Sequence, residues 1–207
     1  MYSKFNTLEP EKQERIINAA IEEFARNGYE KASTNEIIKG AQISKGSLFN
    51  YFNSKKDLYL FLFEYIGSVI EKIYDEVDVN KTDFFERLRD LGLIKYKVIK
   101  QFPQAFDFLK TVGQENAPEV KPELDKIGKS FIEKGFEKMY ENVDLTKFRD
   151  DMDIERVLKI INWTALGFAE EQVSQIDSYE EVTMEHLREW DVYFDILKRC
   201  FYKEAEQ

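Results

Sequence analysis

"AQISKGSLFNYF", residues 41–52, decides how this chain is read. Ala41, Gln42 and Ile43 are too few to form a loop of their own, and Ser44 is of the type that accepts hydrogen bonds from the free amides at a helix start. On a helix beginning at Lys45, the side chains of Leu48, Tyr51 and Phe52 share one face, while Lys45, Gly46, Phe49 and Asn50 share the opposite one. The first face can pack on neighbouring helices. The second would expose a cation, a glycine, a bare ring and an amide, an odd surface to show to water alone.

Upstream, "EPEKQERIINAAIEEFARNG" places Ile16, Ile17, Ala20, Ile21, Phe24 and Ala25 on one stripe and Glu and Arg on the other, which predicts an amphipathic helix stopped at Gly28. Ser33 stands three residues before Glu36, the spacing of a capping box, and predicts a short helix from about Thr34 to Gly40. Downstream, Asn53 or Ser54 can cap a long helix from about Lys55 to Glu76. Further helical patterns cover about Thr82–Gln101, Gln104–Gln114, Pro122–Asn142, Ile154–Ile176 and Met184–Lys203. No strand alternation or internal repeat interrupts them. The expected fold class is all-α: an N-terminal three-helix unit over residues 1–54, then an all-helical body over 55–207.

Composition sets limits on partners. The 207 residues are 43% hydrophobic and 14% aromatic with only 9 Gly and 4 Pro, as in regular globular proteins. A net charge of −10 argues at first against nucleic acid, because Lys and Arg supply most phosphate affinity. The charge is unevenly spread: residues 1–56 hold 9 Lys and Arg against 7 Asp and Glu, leaving 21 against 33 for the remainder. The single cysteine, Cys200, forms no internal disulfide and no zinc cluster, and no stretch is apolar enough for a membrane span or an export signal, so a cytoplasmic setting without membrane contact is expected.

Three short helices with a tight connector before the last form the helix-turn-helix arrangement, whose final helix enters the DNA major groove. In that setting Asn50 can pair with adenine, Phe49 can lie on a thymine methyl, Lys45 can reach guanine or phosphate, and Gly46 admits the backbone closely. Ser33, Ser47, Tyr51 and Lys55 are placed for phosphates near helix starts. A core position for Phe49 is the plainer alternative.

Here the sequence resembles the TetR-type bacterial transcriptional repressors, through "GYEKAS" at 28–33, "EII" at 36–38 and "ISKGSLFNYFNSKKDL" at 43–58. The resemblance covers about the first 60 residues. It implies DNA contacts at Ser33, Lys45, Ser47, Phe49, Asn50, Tyr51 and Lys55. Three positions depart from the family pattern: Gln42 replaces a turn glycine, Ile38 an alanine and Phe49 a tyrosine. A non-glycine residue at positive φ costs about 1 kcal/mol, which applies to Gln42 if the turn is kept.

Catalytic and metal readings find no support in the pattern. "GKS" at 128–130 has Glu123 where a phosphate loop needs glycine, and His186 has Thr183 where the glutamate of a Glu-x-x-His pair would stand, while a di-metal bundle needs two such pairs. No catalytic residue, metal or cofactor is expected. Double-stranded operator DNA and a homodimer are, since one reading helix is too small a module to act alone. The pairing helices expected are the last two long ones: "IINWTALGFAEEQV" with small Ala165, Gly167 and Ala169, and a stripe of Leu187, Trp190, Phe194, Leu197 and Phe201. These could equally be a monomer's own core. The resemblance further implies a small-molecule effector, largely apolar, for which Tyr65, Tyr96, Phe106 and Trp163 are candidate lining residues, each also explicable as plain core. The competing class is a helical protein-interaction module without an effector.

Overall fold

The computed structural model describes residues 2–204 and arranges them in α-helices linked by short turns, with no β-strand among the described residues. In chain order the helices are α1 (Ser3–Asn6), α2 (Pro10–Lys31), α3 (Thr34–Gly40), α4 (Lys45–Tyr51), α5 (Lys55–Asp75), α6 (Phe84–Gln101), α7 (Pro103–Gln114), α8 (Lys121–Tyr140), α9 (Ile154–Ser174) and α10 (Met184–Phe201). Each helix expected from the apolar spacing is present. Two features were not anticipated. One is α1, a single turn too short for periodicity to reveal. The other is that α2 resumes after Gly28, whose φ of 66° and ψ of −176° make a kink rather than an end.

The described chain divides into two compact units, Met1–Ile70 with Phe102–Ile132 and Glu71–Gln101 with Glu133–Gln207. In the first, Ile16, Ala20 and Phe24 of α2 bury against Ile37, Leu48, Phe52, Leu58, Tyr59, Leu62 and Phe108. Burying side chains of this size contributes about 1.5–3 kcal/mol each before the entropy of ordering them. Helix α7 lies along α2. Thr111 Oγ1 donates to the Ala25 carbonyl at 2.9 Å, and the Tyr29 amide donates to Glu115 Oε2 at 2.9 Å, which holds the chain as it leaves the kink. On α5, Gly67 is needed because an added Cβ would come within 2.0 Å of the Phe131 ring.

The second unit packs Phe84, Phe85, Phe148, Val157, Ile161, Phe194 and Tyr202 around two buried polar groups. Arg87 is fully buried and, among the described residues, forms no salt bridge. Instead its guanidinium donates to the carbonyls of Val79, Lys81, Met139 and Glu141, among them free acceptors at the end of α8. Asp83 starts α6 by accepting from the Phe85 and Glu86 amides at 3.0 and 3.1 Å, and it faces Lys147 at 3.0 Å and Lys198 at 3.4 Å. Burial works against its charge, but the Lys147 ammonium, the Glu86 amide and Lys198 outweigh it and hold its pKa below the usual carboxylate value.

Helix α10 corrects one expectation. The stripe of Trp190, Phe194, Leu197 and Phe201 turns into its own unit, with Phe194 fully buried and Trp190 packed on it at 4.2 Å between centroids. Its neighbours Phe85 and Phe148 are large rings from distant parts of the chain, and with Tyr202 at the end of α10 they draw the aromatic side of the helix inward. The large apolar side chains α10 leaves outside are Met184, Val192, Tyr193 and Ile196.

Candidate nucleic-acid interface

The link between α3 and α4 is a helix C-terminal cap closed on itself. The Gln42 amide donates to the Lys39 carbonyl at 3.2 Å and the Ile43 amide to the Ile38 carbonyl at 3.1 Å, the paired bonds of a Schellman motif. That motif requires a left-handed residue, and Gln42 supplies it at φ 54° without the freedom of glycine. Ile38 and Ile43 both pack against the core of this unit, so the extra bulk of Ile38 is absorbed there.

Ser44 caps α4, accepting from the Ser47 amide at 3.2 Å, and its hydroxyl also meets that of Ser47 at 2.8 Å. Ser33 caps α3 at 3.5 Å from the Glu36 amide, while its own amide donates to the buried Glu23 carboxylate at 2.7 Å. The two caps fix how both helices begin. Leu48 and Phe52 are then fully buried, and Lys45, Gly46, Phe49 and Asn50 are turned outward. Phe49 is 38% exposed, which excludes a core position for it, and nothing lies within 4 Å of where a Cβ on Gly46 would stand.

The remaining expected residues are less free. Tyr51 is half-buried with its ring edge toward Phe5 at 6.3 Å and the Lys12 ammonium 5.6 Å from its centroid. Lys55 folds back on α2: its ammonium donates to the Glu30 and Ala32 carbonyls at 3.1 and 3.3 Å and sits 4.8 Å from the Tyr29 ring centroid. A cation there satisfies the free carbonyls at a helix end and gains from the ring face. The long helix α5 starts at the Ser54 hydroxyl, which accepts from the Asp57 amide at 3.1 Å.

One residue of this surface was missed. Lys4 on α1 donates to Asn50 Oδ1 at 2.8 Å. The available signal was "MYSKF", in which Tyr2 and Phe5 stand one helical turn apart and point to a docked N-terminal turn.

The candidate effector residues divide between the units. Tyr65, 42% exposed and stacked on Phe61, and buried Phe106 belong to the first; half-buried Tyr96 and exposed Trp163 belong to the second. Trp163 is 68% exposed and shares the outer face of α9 with Ile160, Leu166 and Gly167. His186 is explained locally, since its Nδ1 accepts from the Thr183 amide at 3.1 Å as part of the α10 cap. No cluster of metal-ligating side chains occurs among the described residues.

Residues 16–61, which contain α3, α4 and that surface, match the bacterial regulatory proteins, tetR family. The chain carries a tetR-family segment there. The fatty acid metabolism regulator protein of Bacillus subtilis is 35% identical over 69 residues, 33% of this chain and 36% of that protein, so the matched stretch spans about a third of this relative's length. The Staphylococcus aureus negative transcriptional regulator of the biofilm operon icaADBC, IcaR, is 24% identical over 159 residues, 73% of this chain and 81% of that one. The transcriptional regulator FadR from Bacillus subtilis, solved in complex with stearoyl-CoA, shares the fold with a TM-score of 0.60 at 18% identity, covering 89% of this chain and 96% of that one. Outside the tetR segment these similarities carry fold alone. No described helix is long and apolar enough to cross a membrane.

Proposed function

We propose that this chain is a DNA-binding transcriptional regulator of the repressor kind, which α4 docks in the major groove of an operator and a small, largely apolar effector releases. The observation that carries this reading is the outer face of α4: a cation, a glycine, an exposed ring and an amide on a seven-residue helix whose other face is locked into the core. Such a surface offers hydrogen-bond donors and an apolar contact at the spacing of base edges. The functional division at residues 54 and 55 belongs to this proposal.

Two copies are needed to read two half-sites about 34–36 Å apart. Exposed Ile160, Trp163 and Leu166 on α9, with Val192 and Ile196 on α10, supply an apolar face of the kind that covers a second copy, and Gly167 allows close helix approach. Trp163 is therefore assigned to pairing, and Tyr65 and Phe106, both in the first unit, remain the effector candidates. FadR's complex with stearoyl-CoA makes an acyl chain the first compound to try.

Release follows from linkage: an effector that prefers a body shape in which the two α4 helices are misplaced weakens DNA binding by the same factor. A hundredfold loss requires about 2.8 kcal/mol of differential binding. Helix α5 is the candidate lever, since Lys55 in its first turn is bonded to the end of α2 and the helix runs unbroken to Asp75.

A gel-shift titration against the DNA upstream of the protein's own gene, repeated across salt concentrations, tests the reading. A sequence-specific, salt-sensitive complex is expected, and acyl-CoA should dissolve it. A helical protein-interaction module would give no specific complex.

A further inference from the structure

Helix α1 is anchored rather than trailing. Phe5 is fully buried, with its ring 5.1 Å from Phe52 and 5.0 Å from Phe61, and Tyr2 meets the same two rings at 5.6 and 4.8 Å. Gln13 then ties the link to α2 by donating to the Asn6 and Leu8 carbonyls at 3.3 and 2.8 Å. With both flanks held, Lys4 projects from the solvent side of the turn, and its ammonium reaches Asn50, 46 residues further along the chain.

That bond changes what Asn50 offers. A free amide presents one acceptor and one donor, the complement of adenine N7 and N6. The Lys4 ammonium takes one of the two lone pairs of Oδ1 and sets a cation beside the other, which disfavours a second donor there. The pair is thereby rich in N–H groups: two left on Lys4 and those of Asn50 Nδ2. Guanine, whose O6 and N7 both accept, suits a donor-rich surface better than adenine, whose N6 is itself a donor.

We propose that Lys4 and Asn50 form one composite reading unit that specifies guanine, which makes Lys4 a specificity-determining residue lying outside the family-matching segment. The proposal rests on the DNA-binding reading above and corrects the adenine pairing expected for Asn50 alone.

The test is selection from a random duplex pool by the full chain and by its Lys4→Ala variant, followed by titration of the selected site against single-base changes. Lys4 is exposed, so the variant is expected to fold, and Lys4→Arg serves as the conservative control. The wild type and Lys4→Arg should prefer guanine at one position of each half-site by about tenfold, and Lys4→Ala should turn that preference to adenine. The same base preference in wild type and Lys4→Ala overturns the proposal, whether affinity is unchanged or falls uniformly. A uniform fall with a shallower salt dependence would identify Lys4 as a phosphate contact instead. Failure of the wild type to select any sequence would overturn the regulator reading as well, and only that outcome touches it.

Discussion

Two faces of this molecule remain outside after the cores are packed, and they differ in chemistry. On α4 the outer residues are Lys45, Gly46, Phe49 and Asn50; on α9 and α10 they are Ile160, Trp163, Leu166, Val192 and Ile196. Both belong to helices whose inner faces are well satisfied, so neither is exposed for want of a core. A mixed donor and ring surface gains little from a protein partner but suits base edges and phosphates. An apolar surface gains nothing from DNA and is costly in water, so it calls for another apolar surface. The proposed function accordingly gives DNA reading to one face and pairing to the other.

Substitutions can break that assignment. The largest effect is expected from Leu166→Asp, at a position 54% exposed on α9. It should leave helicity unchanged, shift sedimentation from dimer to monomer, and lower specific operator affinity by about a hundredfold or more through loss of the second half-site. A dimer that survives would remove α9 from the pairing face. Asn50→Ala should do the reverse, keeping the dimer and reducing discrimination between operator and unrelated duplex by about tenfold. Sedimentation and anisotropy on the same samples separate the two classes.

Lys55→Glu sharpens the boundary of the reading face. Lys55 is bonded to the Glu30 and Ala32 carbonyls, so charge reversal would put a carboxylate against a helix end that favours cations. Affinity should fall by several-fold, with a small drop in melting temperature measured in parallel. Full operator affinity in Lys55→Glu would take Lys55 out of the interface. The smallest effect belongs to Gln42→Gly. At φ 54° glycine removes strain worth about 1 kcal/mol, partly offset by greater freedom of the unfolded chain, so chemical denaturation should show a gain of at most about 1 kcal/mol and sedimentation no change.

Much of the fold was legible because its signals are local. Apolar spacing indicated the longer helices, and capping serines the two seven-residue ones. Ser33, Ser44 and Ser54 cap the helices they were expected to cap, and the turn at Gln42 keeps a left-handed residue where the pattern asked for glycine. Signals that depend on distant partners were not legible. Helix α1 is held by Phe52 and Phe61, Lys55 by carbonyls 23 and 25 residues earlier, and Arg87 by carbonyls at the end of α8. The stripe on α10 shows the same limit: spacing identified an apolar face, yet only the position of Phe85 and Phe148 decides whether that face turns inward or toward another molecule.

The reading face is tested most directly by measuring, at one salt concentration, the affinity of the full chain and of Asn50→Ala for the selected operator and for an unrelated duplex of equal length. The prediction is a clear preference for the operator in the wild type, lost in the variant by weaker operator binding, with affinity for the unrelated duplex unchanged. Equal affinity of the wild type for both duplexes, or an unaltered preference in Asn50→Ala, would contradict it.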